Sequence, residues 1–137
     1  MKTKKERGFA YPVHRIDYET TGIVLFAKNE MALSFLSVEI ENHNVEKEYV
    51  CLVHNKFKKT KDIINKPIGR DRHSEKQVVC AGGKNAETSY MVLKNDLISK
   101  VKVNIKHGRK HQIRVHMKHI GHILFNDDVY LSRPTVP

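Results

Sequence analysis

The sequence predicts an α+β fold: a mixed, largely antiparallel β-sheet with flanking helices. Three observations carry this. Short apolar or alternating runs recur along the chain; turn-forming residues rather than long crossovers separate them; and only two stretches have helical spacing. With 137 residues there is room for one domain and one core, so residues 1–137 read as a single, partial domain.

The elements follow in order. Residues 22–29 (GIVLFAKN) are an apolar run after a Thr-Thr-Gly turn and predict a buried strand. Asn29 is placed to cap a helix over residues 30–42, where Ala32, Phe35, Leu36 and Ile40 share one face. Residues 45–54 contain KEYVCLV and predict a strand, and residues 55–62 (NKFKKTKD) a lysine-rich loop. A short strand is expected over 63–68, stopped by Pro67 and Gly69. The polar segment 69–76 (GRDRHSEK) reads as mobile, and residues 77–80 as another strand. Gly82, Gly83, Lys84 and Asn85 form a turn, and residues 86–93 then alternate as a strand. Residues 100–106 alternate cleanly, with Val101, Val103 and Ile105 on one face and Lys102, Asn104 and Lys106 on the other. Gly108 closes that strand, a helix is expected over 110–119, and a short strand lies near Ile123.

Composition narrows the function. The net charge is +10 with histidine neutral, which favours a polyanionic partner, nucleic acid being the common one. The longest apolar run, residues 23–27, is far short of the ~20 residues of a spanning helix. The basic start has no apolar stretch behind it, so it does not read as a secretory signal. Cys51 and Cys80 read as two buried thiols in a reducing, cytoplasmic setting. No membrane association is expected.

Three constellations carry chemistry. Val13-His14-Arg15-Ile16-Asp17, followed by Glu19-Thr20-Thr21-Gly22, places a carboxylate two residues from a guanidinium in a loop. The plain alternative is a surface ion pair with the threonines bonding local backbone. Gly108-Arg109-Lys110-His111-Gln112-Ile113-Arg114-Val115-His116 is a turn entering a helix and dense in donors. Arg109, Lys110 and the helix start suit phosphate, and Arg114 is spaced to turn toward a buried carboxylate. The plain alternative is a solvated basic face. Glu46-Lys47-Glu48-Tyr49 opens a strand, and Tyr49 reads either as half-buried packing or as a stacking face for a base. His116, His119 and His122, with His107 and His111 upstream, are spaced so that zinc is conceivable, but no cysteine or clustered carboxylate other than Asp127 and Asp128 would complete such a site.

HRID-x-x-TTG, KEY, GKNAETSY and GRKHQIRVHMKHIGH occur in that order. Together they resemble the RluA family of RNA pseudouridine synthases, whose signatures are HRLD-x-x-TSG and GRTHQIRVH followed by IGHPI and GD-x-x-Y. The sequence differs mildly, reading Ile16 for Leu, Thr21 for Ser, Lys110 for Thr, IGHIL for IGHPI and NDDVY for GD-x-x-Y. The resemblance runs over residues 12–130. Because the family's catalytic domain starts before HRLD and continues past GD-x-x-Y, it implies that residues 1–137 are a partial catalytic domain with open sheet edges. Self-association through those edges is then expected.

The resemblance implies that Asp17 is the catalytic nucleophile, that Arg114 pairs with it, that Tyr49 packs on the target base, and that Arg15 helps fill the gap the base leaves. It implies RNA contacts from His14, Arg15, Thr20, Arg109, Lys110, His111 and Gln112. The basic residues Lys56, Lys58, Lys59, Lys61, Arg70 and Arg72 are further candidates for the RNA backbone. The implied reaction isomerises uridine to pseudouridine in structured RNA, ribosomal rather than transfer RNA, by base flipping. No cofactor and no metal is required. The alternative is a non-catalytic RNA-binding remnant of such a domain.

Overall fold

The computed structural model describes Gly8 and residues 10–131. The chain divides into two compact units, Met1–Val45 and Glu46–Pro137.

In the first unit, β1 (Tyr11–Pro12) pairs antiparallel with β2 (Phe26–Ala27). Val13 N–H donates to the Leu25 carbonyl at 2.9 Å, and Leu25 N–H donates to His14 Nε2 at 3.0 Å. The strand expected over 22–29 therefore shrinks to two residues. An apolar run becomes a strand only where a partner offers hydrogen bonds, and β1 is two residues long. Burial fails there too, since Ile23 is 91% and Phe26 53% exposed and only Ala27 is buried.

The first helix, α1 (Glu30–Glu41), forms as expected. Asn29 Oδ1 accepts from Ala32 N–H at 2.7 Å, and Glu30 adds a negative charge in the first turn. None of its residues is buried, and Phe35 stays 63% exposed.

The second unit is built on a four-stranded sheet. Its strands are β3 (Lys47–His54), β4 (Lys61–Asn65), β7 (Glu87–Lys94) and β8 (Ile98–Ile105), in the order β3-β8-β7-β4 and antiparallel throughout. Alternation decides the faces. Val53, Val101, Val103, Tyr90 and Ile64 point inward and are buried, whereas Val50, Leu52, Lys100, Met91 and Ile63 alternate with them and are exposed. A second helix, α2 (Gln112–His119), covers the inner face with Met117, Ile113 and Ile120, and Phe57 and Leu124 complete this core. Near Ile123 the expected strand is one isolated bridge, Val53 to Leu124, flanked by Phe125 N–H donating to the Leu52 carbonyl at 2.8 Å.

A hairpin of β5 (Ile68–Arg70) and β6 (Gln77–Val79) sits beside α2 with its own small core of Ile68, Ala86, Val115 and Tyr130. The segment expected to be mobile is the turn of this hairpin. Asp71 N–H donates to the Lys76 carbonyl at 2.9 Å, and the Asp71 carboxylate accepts from His73 N–H and the Ser74 hydroxyl. An aspartate at the head of a turn thus supplies order that polarity alone did not announce. The strand expected over 63–68 splits into β4 and β5 on either side of Pro67, which has no N–H to give a ladder. Glycine is needed at Gly83, where a Cβ would lie 2.5 Å from the Ile68 carbonyl carbon. That close approach lets Lys84 and Ile68 exchange two backbone hydrogen bonds.

Candidate active site

The loop that holds Asp17 lies in the first unit. Its start is fixed by His14, whose Nε2 accepts from Leu25 N–H. Its far end turns back where Thr20 N–H donates to the Asp17 carbonyl at 3.0 Å. Arg15 is exposed, while Asp17 and Thr20 are half-buried. Asp17 thus sits on a tight turn with its side chain within reach of solvent.

The remaining expected site residues lie in the second unit. Tyr49 lies on the inner face of β3, opposite Val103, which is opposite Tyr90 in the next strand. It is half-buried. Lys47 shares its face and sits against Gly108, close enough that a Cβ there would lie 2.9 Å from its Nζ. Burial lowers the Lys47 amine below its ordinary value. On the same face, burial pushes the Cys51 thiol up to about 12, so it stays protonated and unreactive.

The helix start is reached through an unusual residue. His111 adopts the left-handed conformation (φ 57°), so α2 begins at Gln112 and not at Lys110 as expected. The His111 ring bonds through Nδ1 to the Tyr130 hydroxyl at 2.8 Å. Arg109 folds back so that its Nε–H donates to the Asn85 carbonyl at 2.8 Å, and Lys110 is exposed.

Gln112 was expected among the RNA contacts, and its geometry corrects that assignment. It is 2% exposed. Its Oε1 accepts from Arg109 N–H at 3.1 Å, and its Nε2 donates to the Glu87 carbonyl at 2.9 Å and to Thr88 Oγ1 at 3.0 Å. All of its polar atoms are used within the fold, and its task is to hold the Arg109–Lys110 turn against β7.

His116, one helical turn on, is also internal. Nδ1 meets Thr88 Oγ1 at 2.7 Å and Nε2 meets the Lys66 carbonyl at 2.9 Å. A carbonyl only accepts, so Nε2 carries the proton and Nδ1 accepts from Thr88. Burial lowers the His116 value below the ordinary range; the Lys66 carbonyl opposes this and His119 adds to it. The folded state therefore favours neutral imidazole. Its contribution is full above the unfolded value of about 6.5 and is lost as pH falls through the lowered folded value. Thermal midpoints are expected to drop between pH 7.5 and pH 5, and His116→Gln to flatten that dependence; an unchanged slope contradicts the assignment. His122 stacks on Phe57 with centroids 3.6 Å apart and bonds to the His54 carbonyl. Among the described residues no group of three or more His, Cys, Asp or Glu is placed to hold a metal ion.

Arg114 is held by a carboxylate in its own unit. Its Nε donates to Asp127 Oδ2 at 2.8 Å and its Nη2 to Oδ1 at 2.6 Å. Burial raises the Asp127 value, but the Arg114 hydrogen bonds and charge, with the N–H groups of Tyr130 and Val129, outweigh it and leave the carboxyl below its usual range. The guanidinium also lies 5.0 Å from the centre of the Tyr130 ring. Asn126, at the position where the family motif has glycine, takes φ 59°. Asparagine is among the few side chains that tolerate this conformation, which accounts for the departure.

Sequence reasoning missed Asp127, Tyr130 and Thr88 as parts of the site. The first two were legible as the NDDVY stretch, which matches the family's GD-x-x-Y. Thr88 carried no signal, because an alternating strand hides which hydroxyl will meet a helix.

A family profile described as RNA pseudouridylate synthase matches residues 2–119. The chain belongs to that family. Among its relatives is an uncharacterized RNA pseudouridine synthase of Bacillus subtilis, YhcT, 37% identical over 122 residues, which cover 86% of the chain and 40% of the relative. The ribosomal large subunit pseudouridine synthase D of Blochmanniella floridana is 37% identical over 134 residues, covering 95% of the chain and 40% of that protein. The fold matches human RNA pseudouridylate synthase domain containing 1 with a TM-score of 0.83 and 25% identity, covering 94% of this chain and 58% of that one. The chain thus spans about two fifths of the length of these curated relatives. Within the family, Asp17, Tyr49 and Arg114 all fall in the matched region.

Proposed function

We propose that this chain carries the catalytic residues of an RNA pseudouridine synthase, with Asp17 as nucleophile, Tyr49 as the face for the flipped base and Arg114 as the partner of the aspartate. What supports this reading is the setting of the motif's arginine: Arg114 is held bidentately by Asp127 in the first turn of the helix that covers the sheet bearing Tyr49. The chemistry suits these residues. The C1′–N1 bond of a uridine breaks, the base rotates, a C5–C1′ bond forms, and the C5 hydrogen is released while N1 gains a proton. Flipping the base costs a few kcal/mol, and stacking on an aromatic face recovers about 1–3 kcal/mol. An arginine beside the aspartate keeps it ionised and therefore nucleophilic.

RNA contacts are assigned to His14, Arg15, Thr20, Arg109, Lys110 and His111, with Gln112 as their support. The exposed cations Lys56, Lys58, Lys59, Lys61, Arg70 and Arg72 add non-specific affinity. Ribosomal RNA is the substrate class, on the strength of the relatives named for the large subunit, and the cytoplasm the compartment. β3 and β4 are the outer strands of the sheet among the described residues, so self-association by edge pairing accompanies this reading; a constant monomer mass in light scattering across concentrations would contradict it.

The substrate is tested by incubating the protein with unmodified large-subunit ribosomal RNA and with transfer RNA transcripts, then digesting to nucleosides and separating pseudouridine by chromatography. Pseudouridine in the ribosomal RNA is the expected result. Pseudouridine in transfer RNA alone would overturn the substrate class. Binding of both without any pseudouridine would favour the remnant.

A further inference from the structure

The stretch from Asn126 to Tyr130 packs around Arg114 in a way the reaction does not by itself require. We propose that Asp127 and Tyr130 act as a clamp that fixes the Arg114 guanidinium, making Asp127 a positioning residue for catalysis; this rests on the reading that Arg114 serves the reacting aspartate. Both oxygens of Asp127 are committed. Oδ2 accepts from Arg114 Nε, and Oδ1 accepts from Arg114 Nη2 and from the N–H groups of Val129 at 3.0 Å and Tyr130 at 3.1 Å. The carboxylate therefore cannot rotate without breaking its own turn. It is almost fully enclosed, with 2% of its side chain exposed against 19% for Arg114.

Tyr130 closes the other side. It is buried, its ring lies under the guanidinium, and its hydroxyl is tied to two further elements, Gln77 N–H of β6 at 3.1 Å and His111 Nδ1 at 2.8 Å. Lys118, one turn along α2 from Arg114, reaches the same ring at 5.8 Å. A guanidinium gripped at Nε and Nη2, and lying over an aromatic ring, has one orientation left. The Nη1 end then points away from Asp127. The clamp also balances charge. Asp127 partly neutralises the Arg114 charge, so a carboxylate that Arg114 serves is left more basic than one beside a lone arginine.

The test compares steady-state tritium release from uridine-C5-labelled RNA by the full chain and its variants. Asp127→Asn keeps the size and the acceptor for the two backbone N–H groups but loses the charge. It is expected to lower kcat about 100-fold, as a small misplacement of a reacting group does, with KM within about twofold. Arg114→Lys is expected to fall similarly. The double variant should be no more than about threefold below the lower single, because both remove the same device. Tyr130→Phe keeps the ring and reports on the hydroxyl alone. An Asp127→Asn kcat within twofold of the parent, an effect confined to KM, or multiplicative losses in the double variant would each overturn the clamp. If Asp127→Asn behaves as the parent while Asp17→Asn is inactive, the clamp fails and the functional reading stands. If Asp17→Asn is as active as the parent, the reading itself fails. A readout without turnover is proton exchange at the Arg114 Nε–H by NMR in the free protein. Exchange about tenfold slower than at exposed Arg15 is expected, and equal rates would overturn the clamp.

Discussion

Asp17→Asn is expected to lower turnover by at least about a thousandfold while leaving the Kd for RNA within about threefold. The amide has nearly the shape of the carboxylate but is not a nucleophile. The local structure does not depend on the side chain: the turn is closed by the Asp17 main-chain carbonyl accepting from Thr20 N–H, and the side chain is half-buried. The variant should therefore unfold at the temperature of the parent. Turnover, binding and thermal midpoint measured together separate the roles. A loss of binding parallel to the loss of turnover would make Asp17 a contact residue and not a nucleophile.

Gln112→Ala has the second largest expected effect, and it falls on stability. The change removes the buried acceptor of Arg109 N–H and the buried donor to the Glu87 carbonyl and Thr88 Oγ1. Unmet buried polar groups cost about 1–3 kcal/mol each, and partial relaxation brings the expected total to about 2–4 kcal/mol. Lys110→Ala, an exposed neighbour, should change stability by less than about 0.5 kcal/mol and instead flatten the salt dependence of RNA binding by close to one phosphate contact. Denaturant midpoints and salt titrations of the two variants check this. A stable Gln112→Ala that loses RNA affinity would return Gln112 to the binding surface.

The contrast between these two neighbours shows what the sequence carried. The motif GRKHQIRVH marks a turn shared with the family, but a donor-rich string does not say which donors face inward. That was decided by the left-handed His111, which sets the phase of α2 and turns Gln112 and His116 toward Thr88. The alternation of residues 100–106 was enough to place Val101 and Val103 in the core, because period-two patterns state a face directly. The run at 22–29 misled, because apolar character alone does not supply a strand partner. Arg114 was legible as an arginine in search of a carboxylate. That Asp127 holds it within its own unit was not legible, since ion pairs between distant positions leave no local pattern.

On the proposed mechanism, Asp17 of this chain forms pseudouridine in RNA. The most direct measurement is single-turnover tritium release from RNA labelled at uridine C5, with excess protein, because the new C5–C1′ bond expels that hydrogen. Release should rise with protein concentration to one equivalent per target site, with none from Asp17→Asn. No release from folded, RNA-bound protein, or equal release from Asp17→Asn, would contradict the mechanism.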